Sequence, residues 1–80
     1  MLSEIQILNR IQDVCAEVLK ANRETVIGPS RFKEDLGADS LDMMTLLMAL
    51  ENEFAGTISD EEAKQLATVQ DVLNLLKSRQ

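Results

Sequence analysis

Apolar residues recur in this chain at steps of three and four, and no stretch alternates with a period of two, so the sequence predicts helices and no sheet. Ile5, Leu8, Ile11, Cys15 and Val18 place one apolar face on a first helix from about Ser3 to Lys20, with Asn9, Gln12, Asp13 and Glu17 largely opposite. Ser3 and Gln6 have the spacing of a capping box. A second helix is predicted from about Ser40 to Ala55, with Asp39 or Ser40 as N-cap and Gly56 as its stop. A short third one lies near Asp60 to Leu66, capped by Ser59 or Asp60, and Glu61 and Glu62 suit its N-terminal dipole. A fourth begins after Thr68, which stands at capping-box distance from Asp71; Val69, Val72, Leu73 and Leu76 form its buried face, and Lys77 and Arg79 suit its C-terminal end. Eighty residues leave room for one domain, so the expectation for 1–80 is a single all-α unit: a small four-helix bundle of three main helices and one short one.

Between Ala21 and Asp39 no helical period persists. Gly28-Pro29-Ser30 signals a turn, while Val26, Ile27, Phe32 and Leu36 are apolar and predict that the loop is pinned to the core. Structureless connections this long are uncommon in compact domains and are often functional.

The second helix is too apolar for a single buried stripe. Leu46, Leu47, Leu50 and Phe54, with Met43 beside them, form one group; Leu41, Met44 and Met48 form another, about a third of a turn or more away. Asp42, Thr45, Asn52 and Glu53 fill the polar remainder, and Glu51 borders the second group. Periodicity leaves two readings of that second group open: more core, or an exposed contact surface with an acidic rim. Cys15 falls on the inner face of the first helix and reads as a small buried hydrophobe rather than a reactive thiol.

Composition removes whole classes of chemistry. With no His, a Ser-His-Asp triad, a Cys-His dyad and a His-ligated metal are excluded. A net charge of −6 argues against nucleic acid, which needs a basic surplus to neutralise phosphates. One cysteine makes no internal disulfide and fits a reducing cytoplasm, and no run approaches the ~20 apolar residues that span a bilayer. Met1 to Arg10 lacks the pattern of a signal peptide, so the expected location is cytoplasmic, with no membrane insertion. The acidic excess sits in one block: residues 34–63 carry nine acids and no base. It is either a solubilising surface or a docking surface for basic partners.

The segment Glu34-Asp35-Leu36-Gly37-Ala38-Asp39-Ser40-Leu41-Asp42 sets a hydroxyl between two carboxylates at a helix start, after the long loop. Read as structure alone, Asp39-Ser40 is an N-cap and Gly37 a tight turn. A calcium loop from Asp35 fails, because its third position is Gly37, its sixth Ser40 and its twelfth Leu46. A serine hydrolase elbow fails too, since G-x-S-x-G and a histidine are both missing.

Asp35 to Asp42 resembles the 4′-phosphopantetheine attachment motif of the acyl carrier proteins of dissociated (type II) fatty acid synthesis. The likeness extends from Phe32 through Glu53-Phe54, over the run from Ile58 to Ala63, and over Thr68-Val69, and so covers the chain from the first helix to the last. It implies an acyl-carrier-like fold and a protein that is not an enzyme, expected to be a monomer. A phosphopantetheinyl transferase would move the arm from coenzyme A to Ser40 with Mg²⁺, Asp39 would assist the transfer, and the arm's thiol would hold acyl groups as thioesters. No metal site of the carrier's own is implied. Fatty acid synthesis enzymes with basic docking surfaces would meet Leu41, Asp42, Met44, Thr45, Met48 and Glu51. Leu47, Leu50, Ile58, Ala63 and Leu66 would line an acyl cavity.

The chain departs from that family at several positions: Thr45 and Asn52 stand where acids are usual, Met43 where a small or polar residue is common, Ser59 where Pro is frequent, and Leu75 where an aromatic is frequent. The docking face is therefore expected to be less acidic and more apolar than usual, and a specialised carrier for another cargo, such as a polyketide, an aminoacyl group or a dedicated lipid, is the alternative reading.

Overall fold

Each helix starts on a side chain that closes a capping box. In the computed structural model, which describes residues 2–79, the order is α1 (Glu4–Leu19), α2 (Ser40–Phe54), α3 (Asp60–Lys64) and α4 (Val69–Ser78), with one 3₁₀ turn at Arg23–Thr25. The pairs Ser3–Gln6, Asp39–Asp42, Ser59–Glu62 and Thr68–Asp71 each exchange two hydrogen bonds, satisfying two of the backbone donors that a helix start leaves open. Four α-helices and no strand among the described residues agree with the fold class read from the sequence.

The buried stripe of α1 is Ile7, Ile11, Val14 and Cys15, and Ile5 is 72% exposed. That corrects the expectation for Ile5: six residues before Ile11, it lies about 120° around the helix, outside the stripe. Leu8 and Val18 flank the core and are half-buried. Helix α1 packs on both α2 and α4. Val69, Val72, Leu73 and Leu76 are buried as expected, together with Leu46 and Leu50 from α2. Helix α3 buries none of its residues and ends at Lys64, so Leu66 falls beyond it in the connection to α4.

The long loop is tied to the start of α4. Phe32 N–H donates to the Ala67 carbonyl (3.0 Å), Val69 N–H to Ser30 (3.0 Å) and Gln70 N–H to Gly28 (2.9 Å), around a single antiparallel bridge between Arg31 and Thr68. Buried Ser30 donates its hydroxyl to the Thr25 carbonyl and accepts from Ile27 N–H. Val26 and Phe32 are buried and Leu36 is half-buried, so the loop is pinned as predicted, except at Ile27, which is 51% exposed. Neighbours in non-helical backbone face opposite ways, and Val26 takes the inner side.

At the end of α2 it is Ala55, not Gly56, that adopts the left-handed conformation (φ 53°), while Gly56 N–H reaches the Glu51 carbonyl at 3.2 Å.

Candidate functional site: the Ser40 turn and the outer face of helix α2

The turn before Ser40 is built by Arg31 and Asp35. The Arg31 carbonyl accepts from the N–H groups of Asp35 (2.9 Å) and Leu36 (3.1 Å), and Ala38 N–H closes on Phe32 (2.8 Å). In return Arg31 N–H donates to Asp35 Oδ2 at 2.8 Å, and the guanidinium donates to the same carboxylate at 3.3 Å. The side-chain hydrogen bond from Arg31, helped by that backbone N–H, holds the Asp35 carboxyl below its ordinary range. Gly37 has φ +72°, and a Cβ there would meet nothing within 4 Å, so glycine is needed for conformation and not for space.

Asp39 then caps α2. Its Oδ1 accepts from Asp42 N–H at 2.8 Å, and Asp42 Oδ2 accepts from Asp39 N–H at 3.2 Å. These bonds satisfy the N–H groups of Asp39 and Asp42. Those of Ser40 and Leu41, in the first turn, keep no intramolecular acceptor among the described residues. Ser40 itself is exposed at the first position of the helix.

Leu41, Met44 and Met48 are 69%, 63% and 63% exposed, which settles the question the periodicity left open: this group is a surface. The inner group is graded, with Leu46 and Leu50 fully buried and Met43, Leu47 and Phe54 half-buried against the core. Thr45 lies on the exposed side and spends its hydroxyl on the Leu41 carbonyl (3.2 Å). Half-buried Glu51 turns Oε2 to Ile58 N–H at 2.7 Å.

The acidic block is less uncompensated than its sequence suggests. Bases from outside it reach in: Arg31 to Glu34 and Asp35, Arg10 to Glu53, and Arg79 to Glu62. Asp39, Asp42, Glu51, Asp60 and Glu61 form no ion pair among the described residues. The Arg31–Asp35 pair has i,i+4 spacing, a local signal legible in the sequence. The contacts of Glu51 with Ile58 and of Arg79 with Glu62 left no comparable local pattern.

The five apolar residues expected to line a cavity are spread. Leu50 and Ile58 line a cavity of about 560 Å³ near the C-terminal end of α2, with Leu2, Phe54 and Leu76. Leu66 lines a smaller one of about 160 Å³ with Phe32 and Met43, one turn from Ser40. Leu47 and Ala63 are half-buried and line neither of these. Cys15 is buried and its thiol is pushed up to about 12 by desolvation, which fits the inert reading. No helix among the described residues is long and apolar enough to cross a membrane, and none of their His, Cys, Asp and Glu side chains form a group of three that could hold a metal ion.

Residues 9–76 match the family described as phosphopantetheine attachment site. The chain is 44% identical over 78 residues to an acyl carrier protein of Thermosynechococcus vestitus, covering 98% of this chain and 96% of that protein. It is 49% identical over 72 residues to one of Wolinella succinogenes, covering 90% and 95%. Among solved structures, a Mycobacterium tuberculosis chain assigned as an acyl carrier protein superposes with TM-score 0.82 at 30% identity, covering 89% of this chain and 95% of that one. The chain thus belongs to the acyl carrier protein family, whose members are carriers rather than enzymes and whose prosthetic group is 4′-phosphopantetheine.

Proposed function

We propose that Ser40 takes the prosthetic group and that the protein, as one carrier domain over 1–80, presents acyl groups to the enzymes of type II fatty acid synthesis in the cytoplasm. The observation that carries the site assignment is the start of α2. The Ser40 hydroxyl is exposed, and beside it two backbone N–H groups, those of Ser40 and Leu41, have no other acceptor among the described residues. A phosphodiester fits there, because helix N-termini favour anions through free N–H groups and the dipole. When bound, the group supplies a terminal thiol that holds the cargo as a thioester.

The chain's own residues do the rest. Asp39 and Asp42 fix the helix start and so the direction of the hydroxyl, and Asp39 assists the transfer from coenzyme A by the phosphopantetheinyl transferase. Leu41, Met44 and Met48 give partners an apolar centre, with Asp42, Thr45 and Glu51 around it. Leu47, Leu50, Ile58, Ala63 and Leu66 line the path of the acyl chain between the helices. Fatty acyl cargo is favoured over polyketide or aminoacyl cargo, since both curated relatives are acyl carrier proteins.

Incubation with coenzyme A, Mg²⁺ and a broad-specificity transferase should add one phosphopantetheine by intact mass, and Ser40→Ala should abolish it. An adduct on another serine would refute the assignment.

A further inference from the structure

The acidic block is bounded on each side by a lysine, Lys33 before it and Lys64 after it. Far apart in sequence, the two line one cavity of about 160 Å³. Two backbone bonds bring them there. Phe32 N–H donates to the Ala67 carbonyl at 3.0 Å and Ala38 N–H to the Phe32 carbonyl at 2.8 Å, so the turn before Ser40, the loop at Phe32 and the connection into α4 lie side by side. Both lysines are exposed, and neither forms an ion pair or a side-chain hydrogen bond among the described residues. Arg31, two residues before Lys33, is already engaged by Glu34 at 3.5 Å and Asp35 at 3.3 Å. Glu34 lines the same cavity, and Arg31 offsets its charge. The rim therefore keeps two uncompensated cations. Met43 forms its α2 side. Ser40 stands three residues earlier on that helix, so the two Cβ atoms are about 5–6 Å apart.

We infer that Lys33 and Lys64 form a basic rim that pairs with the phosphodiester joining the prosthetic arm to Ser40. The inference rests on the assignment of Ser40 above. A phosphodiester there carries a negative charge between the carboxylates of Asp39 and Asp42, neither of which has an ion-pair partner among the described residues. Like charges so placed repel, and the block itself holds no base to offset them. The free N–H groups of Ser40 and Leu41 meet the anion from the helix, and the two lysines meet it from the cavity. The lysines give up no ion pair to do so. The rim also sets the direction in which the arm leaves α2. At 100° per residue Met43 lies about 60° to one side of Ser40, while Leu41, Met44 and Met48 lie roughly 40–100° to the other. An arm drawn at its root toward the Met43 side leaves the exposed apolar face clear for partners.

The experiment uses the full-length protein loaded from coenzyme A, freed of Mg²⁺ and carrying no cargo, beside its apo form. Intact mass and peptide mapping first report the adduct. Trace acetic anhydride then labels the lysines in competition. A nearby anion favours the protonated amine, which does not react, so loading should slow Lys33 and Lys64 about threefold at low salt and hardly at all at high salt. Lys77, paired with Glu4 at 3.0 Å and roughly 13 Å along α4 from Thr68, should keep its rate. In a second arm the double variant Lys33→Gln/Lys64→Gln and the control Lys77→Gln are melted in apo and holo forms. The holo-minus-apo change in Tm should fall by about 3 °C in the double variant and stay at the parent's value in the control. A slowing that persists at high salt would mean that the arm merely covers the amines, and it overturns the inference. So do equal slowing of Lys77, unchanged rates at Lys33 and Lys64, or equal Tm differences in all three proteins. Without an adduct at Ser40 the site assignment falls and the rim with it; an adduct at Ser40 with unresponsive lysines removes the rim alone.

Discussion

Asp39 and Asp42 cap α2 on each other's backbone: the carboxylate of each accepts the N–H of the other, at 2.8 and 3.2 Å. The arrangement spends two acids on fixing one serine. It closes the outermost donors of the helix start and leaves those of Ser40 and Leu41 facing the hydroxyl's surroundings. The carboxylates flanking Ser40 in the sequence therefore act on the backbone first, and any role toward a transferase is exerted from a position the cap has already set.

The cap can be tested by substitution. Asp39→Ala should destabilise the protein by about 1 kcal/mol, the usual cost of an N-cap, which for a domain this small lowers Tm by roughly 4–8 °C. Asp39→Asn keeps an oxygen acceptor and should lose less than half as much. Thermal melts of the apo-protein decide; equal losses in the two variants would mean that charge and not the cap hydrogen bond matters at Asp39.

The other end of α2 carries the opposite opportunity. Ala55 sits at φ 53°, where a Cβ is unfavourable by about 1–2 kcal/mol and glycine is not. Part of that gain is offset by glycine's greater freedom in the unfolded chain, so Ala55→Gly should stabilise by about 0.5–1 kcal/mol. Gly37→Ala, at φ +72°, should destabilise by about 1 kcal/mol. Urea midpoints that shift in the same direction for both variants would contradict the backbone argument.

Those two ends also show which parts of the fold are legible in a sequence. Cap pairs are local and were readable at Ser3–Gln6 and Thr68–Asp71, because a capping box fixes its partners three residues apart. The attachment motif was legible for the same reason, as eight consecutive residues. Ile5 lies off the stripe because a step-of-three pattern beginning at residue 5 drifts away from the face that Ile7 and Val14 define. Glycine is the cheapest left-handed residue and so points to Gly56 as the stop, yet the chain puts Ala55 in that conformation. The two-sided nature of α2 was visible, but which side faced water was not, since Leu and Met serve both environments. Contacts spanning many residues, such as Arg79 with Thr57 and Glu62, have no local signature at all.

Acid should weaken the protein through two identifiable carboxylates. The Asp35 carboxyl is held below its ordinary 3.8 chiefly by the side-chain hydrogen bond from Arg31; that of Glu62 is held below 4.5 by the Ser59 N–H and then by Arg79. A carboxyl depressed in the folded state contributes stability that is complete above its unfolded value and is lost as pH falls through the folded one. The loss should therefore begin near pH 4.5 for Glu62 and near pH 3.8 for Asp35, and continue below. Glu62→Gln should lower the urea midpoint at pH 7 while losing less than the parent between pH 5 and pH 3. Parallel pH profiles for parent and variant would remove Glu62 from the account.

The outer face of α2 gives the sharpest test of how partners are held. Met44 is 63% exposed between Leu41 and Met48, so truncating it should leave Tm nearly unchanged. If the face docks on partners, Met44→Ala removes apolar area that would be buried in the complex. Fully burying a Met side chain is worth about 1.5–3 kcal/mol, so the Kd of holo-protein for a fatty acid synthase partner should rise by roughly tenfold at every salt concentration. Thr45→Glu acts through a different force. The hydroxyl it removes serves only the Leu41 carbonyl, and the charge it adds lies at a solvated rim, where an ion pair is worth about 0.2–1 kcal/mol and is screened by salt. It should tighten binding to a basic partner by no more than about fivefold at low salt and hardly at all at 0.5 M NaCl. The two variants, measured across one NaCl series, separate an apolar centre from an electrostatic rim. A Met44→Ala effect that vanishes at high salt, or a sharp fall in its Tm, would show that the exposed methionine is not the apolar centre of the interface.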